Sequence, residues 1–200
     1  ELQITKFLIE SIEEFALRNH ILSCNFLYID EEWGKYLSKL GYHYWINSRS
    51  EWENRGENEF NDFLSRFNAN QRRNIKRERL SIRKKNINIT TYSEENLNEE
   101  IMKQMHDFYM LHCAKWGVWG SKYLTCNFFK NSLANKKNLL IFSASEDSNL
   151  NPVAMSMCLK NREMIWGRYW GCKKEIENLH FELCYYQPIE WAIKNNTKFF

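Results

Sequence analysis

Between Arg168 and Glu190 the chain reads RYWGCKKEIENLHFELCYYQPIE, and His180, Glu182, Tyr185, Tyr186 and Gln187 stand close together within it. Seven Phe, Tyr or Trp residues fall from Trp166 to Trp191. A core would fill such a stretch with aliphatic side chains. His, Glu, Gln and paired tyrosines instead donate, accept or move protons, which suits holding and orienting a polar substrate. The plainer alternative is a half-buried amphipathic helix whose tyrosine hydroxyls reach water.

Acyl transfer to an amine is chemistry that such a set could perform. It needs a base for the nucleophile, donors for the oxyanion and an acid for the leaving group. Glu182 or His180 is the candidate base, and Tyr185 or Tyr186 the candidate acid. On a helix, His180 and Cys184 are four apart, and Glu182, Tyr186 and Glu190 form a second stripe at the same spacing. On the strand before it, alternation predicts one face bearing Trp166, Arg168 and Trp170, able to stack on a planar or anionic group. Gly167 would let a substrate come close. Gln187 and Glu190 complete the candidate substrate contacts. The alternative for the strand is a packed face with Arg168 in an ion pair.

Competing chemistries are poorer. Cys184 with His180 has the residue types of a thiolate–imidazole pair, but no oxyanion motif accompanies them. Cys172, His180 and Cys184 lack regular zinc spacing, so no metal site is expected. His112 falls on an apolar stripe and reads as a core histidine.

These residues need a scaffold. Apolar spacing predicts a first helix carrying Ile4, Phe7, Leu8, Ile12 and Phe15, and a second capped by Asp30 and stopped by Gly41. Short apolar runs at 24–29 and 42–46 read as strands, and polar 48–58 as a boundary. Phe60, Phe63, Leu64 and Phe67 form a helical stripe, followed by a basic helix to about Asn86. Beyond it come strand 87–92, helices 97–115 and 125–134, and strands 139–145, 153–159 and 164–170. The short polar links between those last strands predict antiparallel hairpins. Helix 179–195 and a strand start at 197–200 complete a β-α-α-β-β-β-α-β order. That order predicts an α/β fold of α+β type, with a mixed sheet carrying helices on both faces, as in GNAT acyltransferases.

The charge is uneven. Residues 71–85 hold eight basic side chains against the single acid Glu78, a local +7 that leaves −4 elsewhere of the total +3. Arg72, Arg73, Lys76, Arg77 and Arg79 could contact phosphates of RNA or an anionic lipid, with a solvated helix face whose charges pair with acids of a missing lobe as the bland alternative. With 200 residues, 44% of them hydrophobic and only two prolines, the chain can bury a sizeable core. No apolar run approaches the ~20 residues of a membrane span. Six cysteines without a Cys-x-x-Cys pair fit a reduced, cytoplasmic setting.

Two stretches carry a family likeness: FNDFLSRFNANQRRNIKRERLSIRKKNINI at 60–89, and GRYWGC…LHFELCYYQPIEWAI within 167–193, with YLTCNFF at 123–129 in support. On these the chain resembles the FemAB-like N-acyltransferases, associated with peptidoglycan biosynthesis or recognition, of the GNAT superfamily. Members are two-lobed and GNAT-like in each lobe. The resemblance implies that 1–47 is the tail of a first lobe, 48–86 a boundary loop and basic helical linker, and 87–200 most of a second lobe, incomplete at both ends. It departs from the family pattern at Pro188, where a small residue is usual, and in lacking the Gly-Ala-Gln-Gly-Glu-His-Lys-like continuation. It implies an N-acyltransferase acting on a small-molecule or peptidoglycan-precursor acceptor. The alternative is a non-catalytic module that binds RNA, lipid or a partner chain.

The donor is left open between acyl-CoA and aminoacyl-tRNA. The glycine-rich loop by which many GNAT enzymes cradle coenzyme A is here CKKEIEN, in which Lys173 and Lys174 could meet a phosphate as point charges. Lack of the glycines favours an aminoacyl-tRNA or another acyl donor. A complementing chain or a homo-oligomer would supply what one incomplete copy lacks.

Overall fold

The computed structural model describes residues 2–120, 122–146 and 151–200, and the chain divides into two units, Glu1–Arg49 and Ser50–Phe200. The first unit holds α1 (Leu2–Arg18) and α2 (Glu31–Lys39). Asp30 caps α2 as expected, its carboxylate accepting from the Trp33 amide at 2.8 Å. Ile9, Ala16 and Leu37 are buried there, and the Tyr42 hydroxyl donates to Glu13 at 2.5 Å. Residues 24–29 and 42–46 were expected as strands, but neither is one. A strand exists only through a paired neighbour, and Phe26 and Tyr42 meet instead by an edge-on ring contact.

In the second unit, α3 (Phe60–Ser65) and α4 (Ala69–Lys84) precede β1 (Ile87–Tyr92), α5 (Glu99–Ala114) and α6 (Cys126–Asn131). Asn68 and Gln71 form a reciprocal capping box that fixes the start of α4. β2 (Leu139–Glu146), β3 (Pro152–Lys160) and β4 (Ile165–Cys172) follow, and the described strands pair antiparallel in the order β1-β2-β3-β4. Most of the β2–β3 connection lies outside the described residues. The basic helix is no linker: Ile82 of α4 sits in the second unit's core, beside Leu140, Phe142 and Leu183. Met102, Met105 and Phe108 of α5 fill the other face of the sheet with Ile141, Met155 and Met157. Helices thus cover both faces of the sheet, the α/β layering expected of a GNAT-like fold.

Phe199 is bridged to Met164 in parallel and to Glu53 antiparallel, so 197–200 makes isolated bridges in place of the expected strand. Gly171 sits so close to the Phe108 backbone that a Cβ would strike its carbonyl.

The expected helix 179–195 is one helical run with a defect in it. An α-turn α7 (Leu179–Phe181) leads into a π-helical turn Glu182–Tyr186 and then α8 (Gln187–Lys194). Pro188 has no N–H for a carbonyl one wide turn back, and the Leu183 carbonyl accepts from the Ser156 hydroxyl of β3 at 2.8 Å. Proline is tolerated because the sheet supplies the missing donor. Ser156→Ala should therefore cost about 1–3 kcal/mol by stranding a buried carbonyl. The shift in guanidinium midpoint measures it, and a change within error would mean that another donor satisfies Leu183.

Candidate functional site

Arg79 on α4 and Glu182 on the π-helical turn are 103 residues apart in sequence, and they meet in a forked pair. The guanidinium Nε donates to both carboxylate oxygens at 3.1 and 3.2 Å, and Nη2 donates to Oε1 at 3.0 Å. Nη2 also reaches Glu190 Oε2 at 2.6 Å. Gln187 Nε2 donates to Glu182 at 2.8 Å, and Lys194 Nζ to Glu190 at 2.9 Å. The Tyr186 hydroxyl donates to Glu78 at 2.5 Å, and the Phe60 ring lies 4.3 Å beneath the Arg79 guanidinium.

The electrostatics follow from this wiring. Burial works against the Arg79 charge, but the two carboxylates outweigh it and raise its pKa. Burial likewise opposes the Glu190 charge, yet bonds from Lys194 and Arg79 hold its carboxyl below the usual range. Burial, then the bond to Glu78, pushes the Tyr186 phenol up. Glu182 is buried with both oxygens bonded to Arg79, which makes it a poor base for a substrate.

A pocket of about 540 Å³ opens beside this network, lined by Phe60, Leu64, Lys76, Arg79, Leu80, Arg83, Glu190, Ile193 and Lys194 among others. Apolar side chains share its lining with four cations, the acids Glu59 and Glu190, and the amides Asn58 and Asn61. Among the described residues Lys76 and Arg83 make no ion pair.

His180 and Tyr185 stand elsewhere on the same helical run. The His180 ring packs 5.2 Å from Trp170, 5.8 Å from Phe181 and 5.8 Å from Tyr185. Burial, then the charge of His112, lowers its pKa. Ring contacts continue from Phe181 to Tyr186 at 6.5 Å and from Tyr186 to Phe60 at 6.1 Å. An aromatic row therefore joins His180 to the edge of the pocket. Cys184 is a half-buried thiol whose pKa is raised by desolvation, which argues against a nucleophile.

Other expected placements change. Trp166, Arg168 and Trp170 do not share a face. Trp170 pairs with Ser156, Trp166 with Leu159 and Gly167 with Cys158, so Arg168 is the extra residue of a β-bulge. The bulge shifts alternation by one and puts Trp166 and Trp170 on opposite faces. Arg168 itself is exposed, 5.6 Å from the Tyr169 ring. Gly167 does lie open, with only the Phe200 ring near where a Cβ would be.

The phosphate candidates are also divided. Arg73, Lys76 and Arg77 are exposed on α4, while the Arg72 guanidinium is turned back on the Phe67 carbonyl. Lys174 pairs with Glu146 at 2.7 Å, and Lys173 lies 5.7 Å over Phe108, across the sheet from α4. Arg79, expected as a phosphate contact, is instead bound to Glu182 and Glu190, and sequence reasoning missed it as a central group, with Glu78, Arg83, Lys194 and Phe60 around it. A signal existed: Arg79 is four residues past Ile75 and three before Ile82, on the apolar face of α4.

The two converging stretches, 60–89 and 167–193, are the ones that carry the family likeness. A family model for FemAB-like proteins, described as peptidoglycan biosynthesis/recognition, matches residues 1–200. No curated protein matches the chain. No described helix is long and apolar enough to cross a membrane.

Proposed function

The chain belongs to the FemAB-like family, and from that membership and the site above we propose that it is an N-acyltransferase. Membership ties it to peptidoglycan biosynthesis or recognition, in a family related to peptidoglycan-modifying transferases. The observation that supports the reading is the meeting of Arg79 with Glu182 and Glu190 beside the pocket, which joins the two family-bearing stretches.

In this reading the groups divide their labour. Glu182 and Tyr186 are positioning residues, because their oxygens are taken by Arg79, Gln187 and Glu78. Lys76 and Arg83 hold an anionic part of a substrate, and Glu190, with its oxygens bonded to Arg79 and Lys194, is a further positioning residue. His180 takes the proton from the amine, since its lowered pKa keeps the imidazole neutral at pH 7. The amine nitrogen bonds to the acyl carbon, and the ester or thioester bond to the donor breaks. The proton passes to the departing oxygen or sulfur, with Tyr185 as the exposed phenol available to relay it.

Incubating the chain with a peptidoglycan stem peptide and either an aminoacyl-tRNA or an acyl-CoA should add one acyl mass to the acceptor amine. Acceptor binding without transfer from either donor would instead support a non-catalytic binding module.

A further inference from the structure

The connection between α5 and α6 exposes side chains that a folded surface normally hides. Trp116, Val118, Trp119 and Tyr123 are 64, 95, 86 and 83% exposed. The described backbone beneath them is hydrogen-bonded on either side. The Trp119 amide donates to the Trp116 carbonyl and the Gly120 amide to the Gly117 carbonyl, each at 3.1 Å. Gly117 takes a φ of 55°, in the left-handed region. A Cβ on Gly120 would strike the Cys113 carbonyl, so the turn is pressed onto the end of α5. The Leu124 amide donates to the hydroxyl of buried Tyr109 at 3.3 Å, and Thr125 caps α6. A firmly anchored turn therefore presents apolar tips to solvent.

Charge selects the occupant. From Ala114 to Thr125 there is no acid, and Lys115 and Lys122 flank the tips. Among the described residues Lys115 has the exposed Glu175, at 3.5 Å, as its ion-pair partner, and Lys122 has none. Tryptophan and tyrosine rings settle where an apolar layer meets water, with the body dry and the N–H or O–H wet. Lysines beside them add attraction to anionic headgroups, and the two contributions together give reversible surface binding. We propose that this turn docks the protein on an anionic lipid surface, a role independent of the transferase reading.

The test is sedimentation of the whole chain with vesicles of phosphatidylglycerol and phosphatidylcholine, against vesicles of phosphatidylcholine alone. The protein should partition onto the mixed vesicles, and Trp116→Ser/Trp119→Ser should weaken that partition at least about tenfold. Val118→Asp should do the same from a single site. Lys122→Gln should weaken binding about fivefold on anionic vesicles and leave the weaker binding to neutral ones unchanged. Because these side chains are exposed, thermal melts of all variants should match the parent. The proposal is overturned if the parent stays in the supernatant, or if the tryptophan and Val118 variants bind vesicles as it does. It is equally overturned if the parent is a dimer that the same variants dissociate, since the turn would then contact a second copy.

Discussion

Arg79→Ala is expected to destabilise the second unit by about 3–5 kcal/mol, because it strands a buried carboxylate without its counter-charge. The contrast with a surface ion pair, worth about 0–1 kcal/mol, decides the size of the effect. Side-chain exposure is 11% for Arg79 and 5% for Glu182, so solvent cannot take over the lost role. Among the described residues, only the Gln187 amide would still reach the stranded Glu182. The magnitude is read from guanidinium midpoints at constant m-value. Adding Glu182→Gln to Arg79→Met should recover part of the loss seen with Arg79→Met alone, since a neutral amide replaces the unpaired charge. If Arg79→Ala unfolds at the parent's midpoint, the pair is not what joins α4 to the helical run after β4.

His180→Gln is expected to lower kcat by about a hundred- to ten-thousand-fold, the range for loss of a positioned base. KM should change little, because the pocket rim is untouched. The pH profile gives an independent reading. Burial and His112 lower the His180 pKa, so the neutral, proton-accepting form predominates at pH 7. Activity should therefore fall only as pH drops through a value below the ordinary 6.5 of histidine. A variant that keeps the parent's rate and its acid limb would rule out the imidazole as the proton acceptor.

The second unit's strands were legible because their apolar runs are separated by short polar links, a pattern few other arrangements satisfy. The faces of β4 were not legible. Alternation is counted residue by residue, and the bulge at Arg168 adds one residue that only the pairing with Met157 and Cys158 discloses. The apolar runs at 24–29 and 42–46 failed for the related reason that composition proposes a strand but cannot supply its neighbour.

For the site, Glu182, Tyr186, Gln187 and Glu190 were recognisable as a polar group on one helix. Their roles were not, because the partners Arg79 and Glu78 lie more than a hundred residues earlier. Within the +7 run, Arg79 looked like any other surface cation. Its place between Ile75 and Ile82 was the one mark that it turns inward.

The wide turn at Glu182–Tyr186 has a geometric corollary. An ordinary helix advances about 100° per residue, so positions eight apart such as 182 and 190 would point roughly 80° away from each other. One surplus residue absorbed between them makes the interval behave as seven, or nearly two whole revolutions, and the two acids align to within about 20°. A single guanidinium can then span both. The register defect thus acts as an angular corrector, narrowing the spread at which the two acids meet Arg79.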